Sequence, residues 1–310
     1  MTKKTQFKGV FMLLLTAFIW GTSFVAQSVG MESVEAFTFN GIRTLMGACV
    51  LIPFILIRDK ITAHQMTSDE ISNRKKLNKK TVVYGSVLGV VLCAASNFQQ
   101  FAFNYSTSGK IAFVTAFYML FVPLFGLFFK KRVPIITWVC VFFGFVGLYF
   151  LCINPSDLTA INTGDILTLI CSVIFAVHIL LIEKFAPDVD GIKLSCVQFA
   201  VSGTISCILM FIFEAPDINA VSAAILPLLY SGVMSCGLAY TFQVVGQKYT
   251  EATVASLLMC MESVFGVISS AIILHETLTG RETIGCVIMF AAIILSQLSD
   301  VIMANLKKKN

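Results

Sequence analysis

The sequence predicts an all-α membrane protein of ten transmembrane helices, built as two five-helix repeats that cross the bilayer in opposite senses. Three observations predict it. With 57% hydrophobic residues, 13% charged residues and a mean hydropathy of +0.87, the 310-residue chain has too little polar surface to cover a water-soluble globule. Ten apolar stretches of about 20 residues, the length that crosses a bilayer as a helix, use nearly the whole chain. The last five echo the first five. An odd number of crossings per copy forces the second copy to enter from the opposite side, a geometry that many secondary transporters use.

The first repeat, residues 1–153, holds spans near 9–29, 35–57, 82–103, 110–129 and 133–153. The first span follows Lys3, Lys4 and Lys8, and the second carries Arg43 inside it. The longest hydrophilic connection, 58–80, comes next. The third span contains Gly85-x-x-x-Gly89, a close-contact helix motif of weak specificity. The fourth contains Pro123, whose missing N–H permits a bend near the midplane. The second repeat, residues 154–310, holds spans near 164–185, 192–213, 222–245, 252–274 and 282–304. These carry His178, Gln198, Gln243 and Glu262 in the sixth to ninth spans. The opening Lys3-Lys4 has the look of a secretory signal, but its apolar run is span-length and has a counterpart in the sixth span, so it is expected to be retained.

Charge sets the expected orientation. With the N-terminus in the cytoplasm, 19 of the 22 lysines and arginines fall on that side, including the 58–80 connection, Lys130-Lys131-Arg132, Lys184, Lys193, Lys248 and Lys307 to Lys309. Lys110 and Arg281 fall outside, and Arg43 lies within a span. This is the positive-inside pattern, so a cytoplasmic-membrane protein with both termini in the cytoplasm is expected. The net charge of +5 therefore reports topology and not a nucleic-acid partner. The ten cysteines all lie in spans without a C-x-x-C pair and read as small packing residues; no metal site or cofactor is expected.

The repeat can be followed residue by residue. Trp20 stands opposite Phe175, Gly21 opposite Ala176, Ser23 opposite His178 and Arg43 opposite Gln198. Asn97-Phe98-Gln99 meets Thr241-Phe242-Gln243, and each is followed six residues later by a tyrosine, Tyr105 and Tyr249. Tyr118 then matches Glu262, Phe121 matches Phe265 and, one gap later, Gly147 matches Ala292. Agreement in order across all five helices carries more weight than any single match.

These residues resemble the EamA-type transporters of the drug/metabolite transporter superfamily. The resemblance rests on Trp20-Gly21 followed by Phe24, on Arg43, on YMLFVPLFG at 118–126, and on MESVFG at 261–266, which is similar to the family's Glu-Pro-Val-Phe stretch. HETLT at 275–279 resembles the family's short acidic loop before the last helix. Ser263 stands where the family usually has proline, and Lys130-Lys131-Arg132 takes the acidic loop's place in the first repeat, on the cytoplasmic side. The resemblance implies a ten-helix basket whose central cavity is lined mainly by helices one to four and six to nine, with the fifth and tenth at the periphery.

The site residues follow from cost. A charge at the bilayer centre costs roughly 2.5 to 3.5 kcal/mol on insertion scales, so those retained there face a partner or a wet cavity. Arg43 and Glu262 are the two deep formal charges. At 1.5 Å per residue Glu262 lies about 15 Å into its helix and Arg43 about 12 Å in from the outer face. Glu262 reads either as a carboxylate that takes a proton or a substrate ammonium, or as a structural tie to a neighbouring helix. Arg43 reads either as a clamp for a carboxylate or phosphate, or as an anchor bonded to carbonyls or to Glu262. His178 reads as a buried packing residue or a relay. Asn97, Gln99 and Gln243 are amides that bond across helices or meet substrate, and Trp20, Tyr118 and Tyr240 are candidate cavity aromatics.

The expected function is that of a secondary carrier for a small polar solute such as an amino acid, with Glu262 as the proton-coupling group. Export is implied by the resemblance alone. The lipid bilayer and a small-molecule substrate are the expected partners, and a homodimer is admitted. A membrane-embedded enzyme would need a catalytic constellation, and His64 and His275 fall in connections on opposite sides. A receptor or scaffold would carry soluble loops. A passive channel would show rings of repeated charge.

Overall fold

A backbone in hydrocarbon must satisfy its N–H and C=O groups internally, which favours helices. The computed structural model describes the backbone of residues 3–63, 68–128, 133–153, 161–273 and 279–309, and the side chains of 5–62, 73–128, 133–153, 161–269 and 279–296. Among these residues there is no strand. His64, His275, Lys130-Lys131-Arg132 and most of the acidic loop lie outside them, as do the side chains of Lys3, Lys4 and Lys307 to Lys309.

Among the described residues ten long helices run in order, two of them interrupted. They are α1 (Lys3–Met31), α2 (Ala36–Ala63), α3 (Ser68–Ala102), α4 (Ser108–Thr115, resuming as Tyr118–Phe128) and α5 (Ile135–Cys152). Then come α6 (Thr163–Phe185), α7 (Gly191–Phe213), α8 (Ile225–Gly246), α9 (Ala252–Met259, resuming as Met261–Ile273) and α10 (Gly280–Lys309). Among the described residues, α1 to α9 are each long and apolar enough to cross a membrane, and α10 extends for 30 residues. A short helix, Ile218–Ala223, capped by the Asp217 side chain, leads into α8.

The described residues of the 58–80 connection, 58–63 and 68–80, are helical. Helices α2 and α3 run out into it, because its residues are mostly good helix formers and its charges find partners. Asp59 bonds Arg74 and Lys193, both at 2.6 Å, and Arg58 bonds Asp190 at 2.7 Å.

Packing follows an exchange of the two halves. Helix α1 packs on α8 and α9, while α6 packs on α3 and α4. Helix α2 packs on α7 and α8, while α7 packs on α2 and α3. Helix α5 packs on α10 at the periphery. Swapping each helix for its counterpart leaves this set of neighbours unchanged, so a pseudo-two-fold axis passes between α2 and α7. Lipid supplies no hydrophobic force between helices, so close backbone approach and polar bonds must hold them. The Gly85 and Gly89 motif provides one such approach: a Cβ on Gly85 would lie 2.6 Å from the Val197 side chain, and one on Gly89 2.7 Å from the Gln198 carbonyl. Phe7, Phe18, Val83, Phe142 and Phe211 remain exposed, a surface suited to acyl chains and not to water.

The axis also relates two polar ties at opposite ends of α2 and α7. The Glu214 carboxylate, at the end of α7, accepts from the backbone N–H groups of Phe37 (2.8 Å) and Thr38 (2.7 Å) and from the Thr38 hydroxyl (2.7 Å), at the start of α2. Asp59, near the end of α2, pairs with Lys193 at the start of α7. Each acid lies sixteen residues beyond its Arg43 or Gln198 reference and each partner five before it, so the two ties occupy equivalent places.

Two helix breaks meet at the axis. Helix α4 is interrupted at Ala116 and Phe117, and α9 at Cys260. Ala116 and Cys260 are repeat-equivalent, two residues before the Tyr118 and Glu262 pair. The Cys260 thiol donates to the Ala116 carbonyl at 3.8 Å. Proline does not make either break. The one in α4 comes more than a turn before Pro123, and α9 is broken although Ser263 replaces the family's proline. Both caps have ψ near zero, −5° at Ala116 and −13° at Cys260, which tightens the last turn before the chain resumes. Helix α8 departs differently. Its Tyr230–Tyr240 stretch is wound as a wider π-helix, and the Thr16 hydroxyl donates to the Ala239 carbonyl there at 2.9 Å.

Candidate functional site

The breaks in α4 and α9 place Tyr118 and Glu262 in the first turn of each resumed segment, and both side chains reach one central pocket. Its wall is contributed by α1 (Trp20, Phe24, Gln27), α2 (Arg43), α3 (Gln99), α4 (Thr115, Tyr118), α6 (Phe175, Ile179), α8 (Ser235, Tyr240, Gln243) and α9 (Met259, Glu262). Among the described residues α5 and α10 take no part, as the resemblance implies. Helix α7 takes none either, against the expectation that it would line the cavity; its Gln198 contacts His178 instead.

Ten of these fourteen residues form five repeat-equivalent pairs: Trp20 with Phe175, Phe24 with Ile179, Gln99 with Gln243, Thr115 with Met259, and Tyr118 with Glu262. The pocket therefore sits on the pseudo-two-fold axis, where both halves contribute the same positions. The space open to the centres of water molecules is about 40 Å³. Since about 10–15 Å³ of such space holds one water, this conformation admits a few waters and excludes a metabolite.

Arg43 is 4% exposed. Its Nε donates to Asn40 Oδ1 at 2.7 Å, its guanidinium carbon lies 5.4 Å from the centre of the Phe39 ring, and the residue lines the pocket. Glu262 is likewise 4% exposed and accepts, at Oε1, from the Tyr118 hydroxyl over a long 3.4 Å. Among the described residues Arg43 and Glu262 form no ion pair with each other within 4.0 Å. One pocket thus holds a guanidinium and a carboxyl group that are not bonded to one another. Around them the Trp20 indole N–H, Gln27 Oε1 and Gln243 Oε1 are buried without protein partners. Gln99 Nε2 donates to the Thr115 hydroxyl at 3.1 Å.

Seven of the nine residues expected at the site line this pocket: Arg43, Glu262, Trp20, Tyr118, Gln99, Gln243 and Tyr240. Asn97 and His178 do not. Asn97 stands behind Arg43, accepting from Asn40 Nδ2 at 2.9 Å and donating to the Ser206 hydroxyl at 2.9 Å. His178 is fully buried beside Gln198, with Nε2 and Oε1 3.1 Å apart. Seven lining residues were not expected at the site: Gln27, Phe175 and Ser235, and with them two repeat-equivalent pairs, Phe24 with Ile179 and Thr115 with Met259. The repeat register names these two pairs, one residue on from the Ser23 and His178 pair and three before the Tyr118 and Glu262 pair.

A helical bundle of membrane-spanning length, folded about an internal two-fold axis with a polar pocket on that axis, is an architecture that secondary transporters use. The chain belongs to the EamA-like transporter family, whose model matches residues 7–153 and 162–298. An uncharacterized transporter of Archaeoglobus fulgidus is 26% identical over 291 residues, covering 92% of this chain and 84% of that protein. A solved crystal structure shares the fold with a TM-score of 0.75 at 17% identity, over 94% of this chain and 96% of its own. The family implies a small-molecule substrate and a lipid environment.

Proposed function

We propose that this transporter carries a small zwitterionic metabolite, with an amino acid as the type, outward across the cytoplasmic membrane, by rocking of the two halves about the central pocket. The observation that carries the proposal is the pair Arg43 and Glu262, both facing one buried pocket and not bonded to each other. A guanidinium offers parallel N–H donors to a carboxylate, and a glutamate accepts from an ammonium group. A zwitterion therefore satisfies both ends at once, where a single charge would leave one buried group without a counter-ion. The few-water volume supports alternating access, since a solute of this size can enter only when the halves move apart. Glu262 is the group through which protons couple. Neutralising it, by a proton in one direction and by the solute's ammonium in the other, removes the cost of holding an uncompensated charge in hydrocarbon.

Both termini lie in the cytoplasm in this proposal, in keeping with the positive-inside distribution, and the chain works as a carrier and not as an enzyme. The test is flux of radiolabelled amino acids from proteoliposomes under an imposed pH gradient. Glu262→Gln is expected to abolish the dependence on the gradient while leaving exchange of solute measurable. Flux that responds to the gradient as in the native protein would remove Glu262 from this role. Group transfer or hydrolysis by the purified protein would revive the enzyme reading, and solute binding with no flux the receptor reading.

A further inference from the structure

Behind the pocket wall lies a polar pair that the carrier proposal does not use. His178 on α6 and Gln198 on α7 are both fully buried. Their mutual contact leaves His178 Nδ1 and Gln198 Nε2 without a protein partner. Whichever way the imidazole tautomer and the amide are assigned, one donor and one acceptor remain. No formal charge accompanies them when the imidazole is neutral.

The wall itself is Tyr240. Its ring lines the pocket and meets Trp20 at 4.6 Å between ring centres. It also meets His178 at 6.5 Å and 81°, and Phe199 at 5.9 Å. The repeat shows what this ring does. Gln198 is the counterpart of Arg43, and Arg43 lines the pocket. Tyr240 is the counterpart of Ser96, whose small side chain turns back to its own helix, donating to the Leu92 carbonyl at 2.7 Å. The two halves thus hold a polar group at equivalent places, one lining the pocket and one not, and Tyr240, which lines the pocket and meets His178, stands where the other half has Ser96. Tyr240 is the last residue of the π-wound stretch Tyr230–Tyr240, so rewinding that stretch as α-helix rotates the ring against the pocket.

We infer that His178 and Gln198 form a second binding subsite for an uncharged hydrogen-bonding group, a hydroxyl or a carboxamide, and that Tyr240 decides whether a solute reaches it. The ligand rests on the carrier proposal: the group belongs to the side chain of a solute whose charged ends meet Arg43 and Glu262.

The chain has 3 histidines, so His64→Gln with His275→Gln leaves His178 as a sole reporter. In nanodiscs, carbethoxylation of His178 by diethyl pyrocarbonate, read by mass spectrometry, is expected to be about tenfold faster in Tyr240→Ser than in Tyr240→Phe, because the screen is lost. Tyr240→Leu serves in the same comparison where the serine variant does not fold. Acetamide, which carries both a donor and an acceptor, is expected to slow the reaction in the opened variant, whereas acetate and methylammonium leave it unchanged. Equal rates in all variants overturn the screen. Protection by acetate or methylammonium, or by none of the three, overturns the chemistry of the subsite. The labelling needs no flux, so a protein that moves no amino acid yet shows this pattern overturns the carrier proposal alone.

Discussion

Asn40 is the residue on which the Arg43 geometry depends. It accepts from Arg43 Nε and donates to the Ser96 carbonyl and to Asn97 Oδ1, both at 2.9 Å, so a buried chain of bonds runs from the pocket back to Ser206 on α7. Asn40→Ala leaves the Arg43 Nε–H and Asn97 Oδ1 without partners. Each such loss costs about 1–3 kcal/mol, so a clearly lowered Tm in detergent and a raised KM for the carried solute are expected. Asn97→Ala is expected to lower the Tm by a similar amount with a smaller effect on KM, because it touches Arg43 only through Asn40. At Arg43 itself, Arg43→Lys keeps the charge and loses the planar fork, and weaker binding of carboxylate solutes in an equilibrium assay is the expected result. These roles were partly legible in the sequence. Arg43, Glu262, Gln99 and Gln243 stand out because polar groups are costly in hydrocarbon, but Asn97 and His178 give the same signal and only packing tells that they lie one layer back. Ile179 and Met259 give no signal of their own, since an apolar wall reads as core.

At the scale of elements, the α2 and α7 pair is tied at both ends and in close contact along its length. Glu214→Ala removes the acceptor of three bonds, two of them to backbone N–H groups that have no partner within α2, and hydrogen bonds to a charged group contribute about 1.5–3 kcal/mol. A lowered Tm and faster hydrogen exchange at the start of α2 are expected, with Asp59→Ala acting in the same way at the opposite end. Gly89→Leu forces the Gln198 carbonyl and Val201 away from α3, and loss of monodisperse protein in size-exclusion chromatography is the expected outcome. The sequence announces Gly85 and Gly89 through their spacing. It does not announce the breaks at Ala116 and Cys260 or the π-wound part of α8, because no proline or motif stands at them; Pro123 points to a bend elsewhere. Charged runs mislead in the same manner: 58–80 looks like a loop, yet lysine, arginine and glutamate are good helix formers, and the ion pairs around Asp59 let two helices continue past the membrane.

At the scale of the whole molecule, the two-fold relation and the number of spans were readable because hydropathy at span length and an ordered register are strong signals, whereas the shape of the cavity depends on how ten helices pack. If the halves enter the bilayer in opposite senses, reporter tags at the two termini and in the 64–67 link are all expected on the cytoplasmic face, and a tag at 32–35 on the other; the same reporters check the direction of each half. The central space of about 40 Å³ has a consequence for the membrane that houses the protein. A handful of waters does not make a conducting column through about 30 Å of hydrocarbon. Between working cycles the molecule is therefore expected to be electrically silent, so that a bilayer crowded with copies of it still holds its voltage.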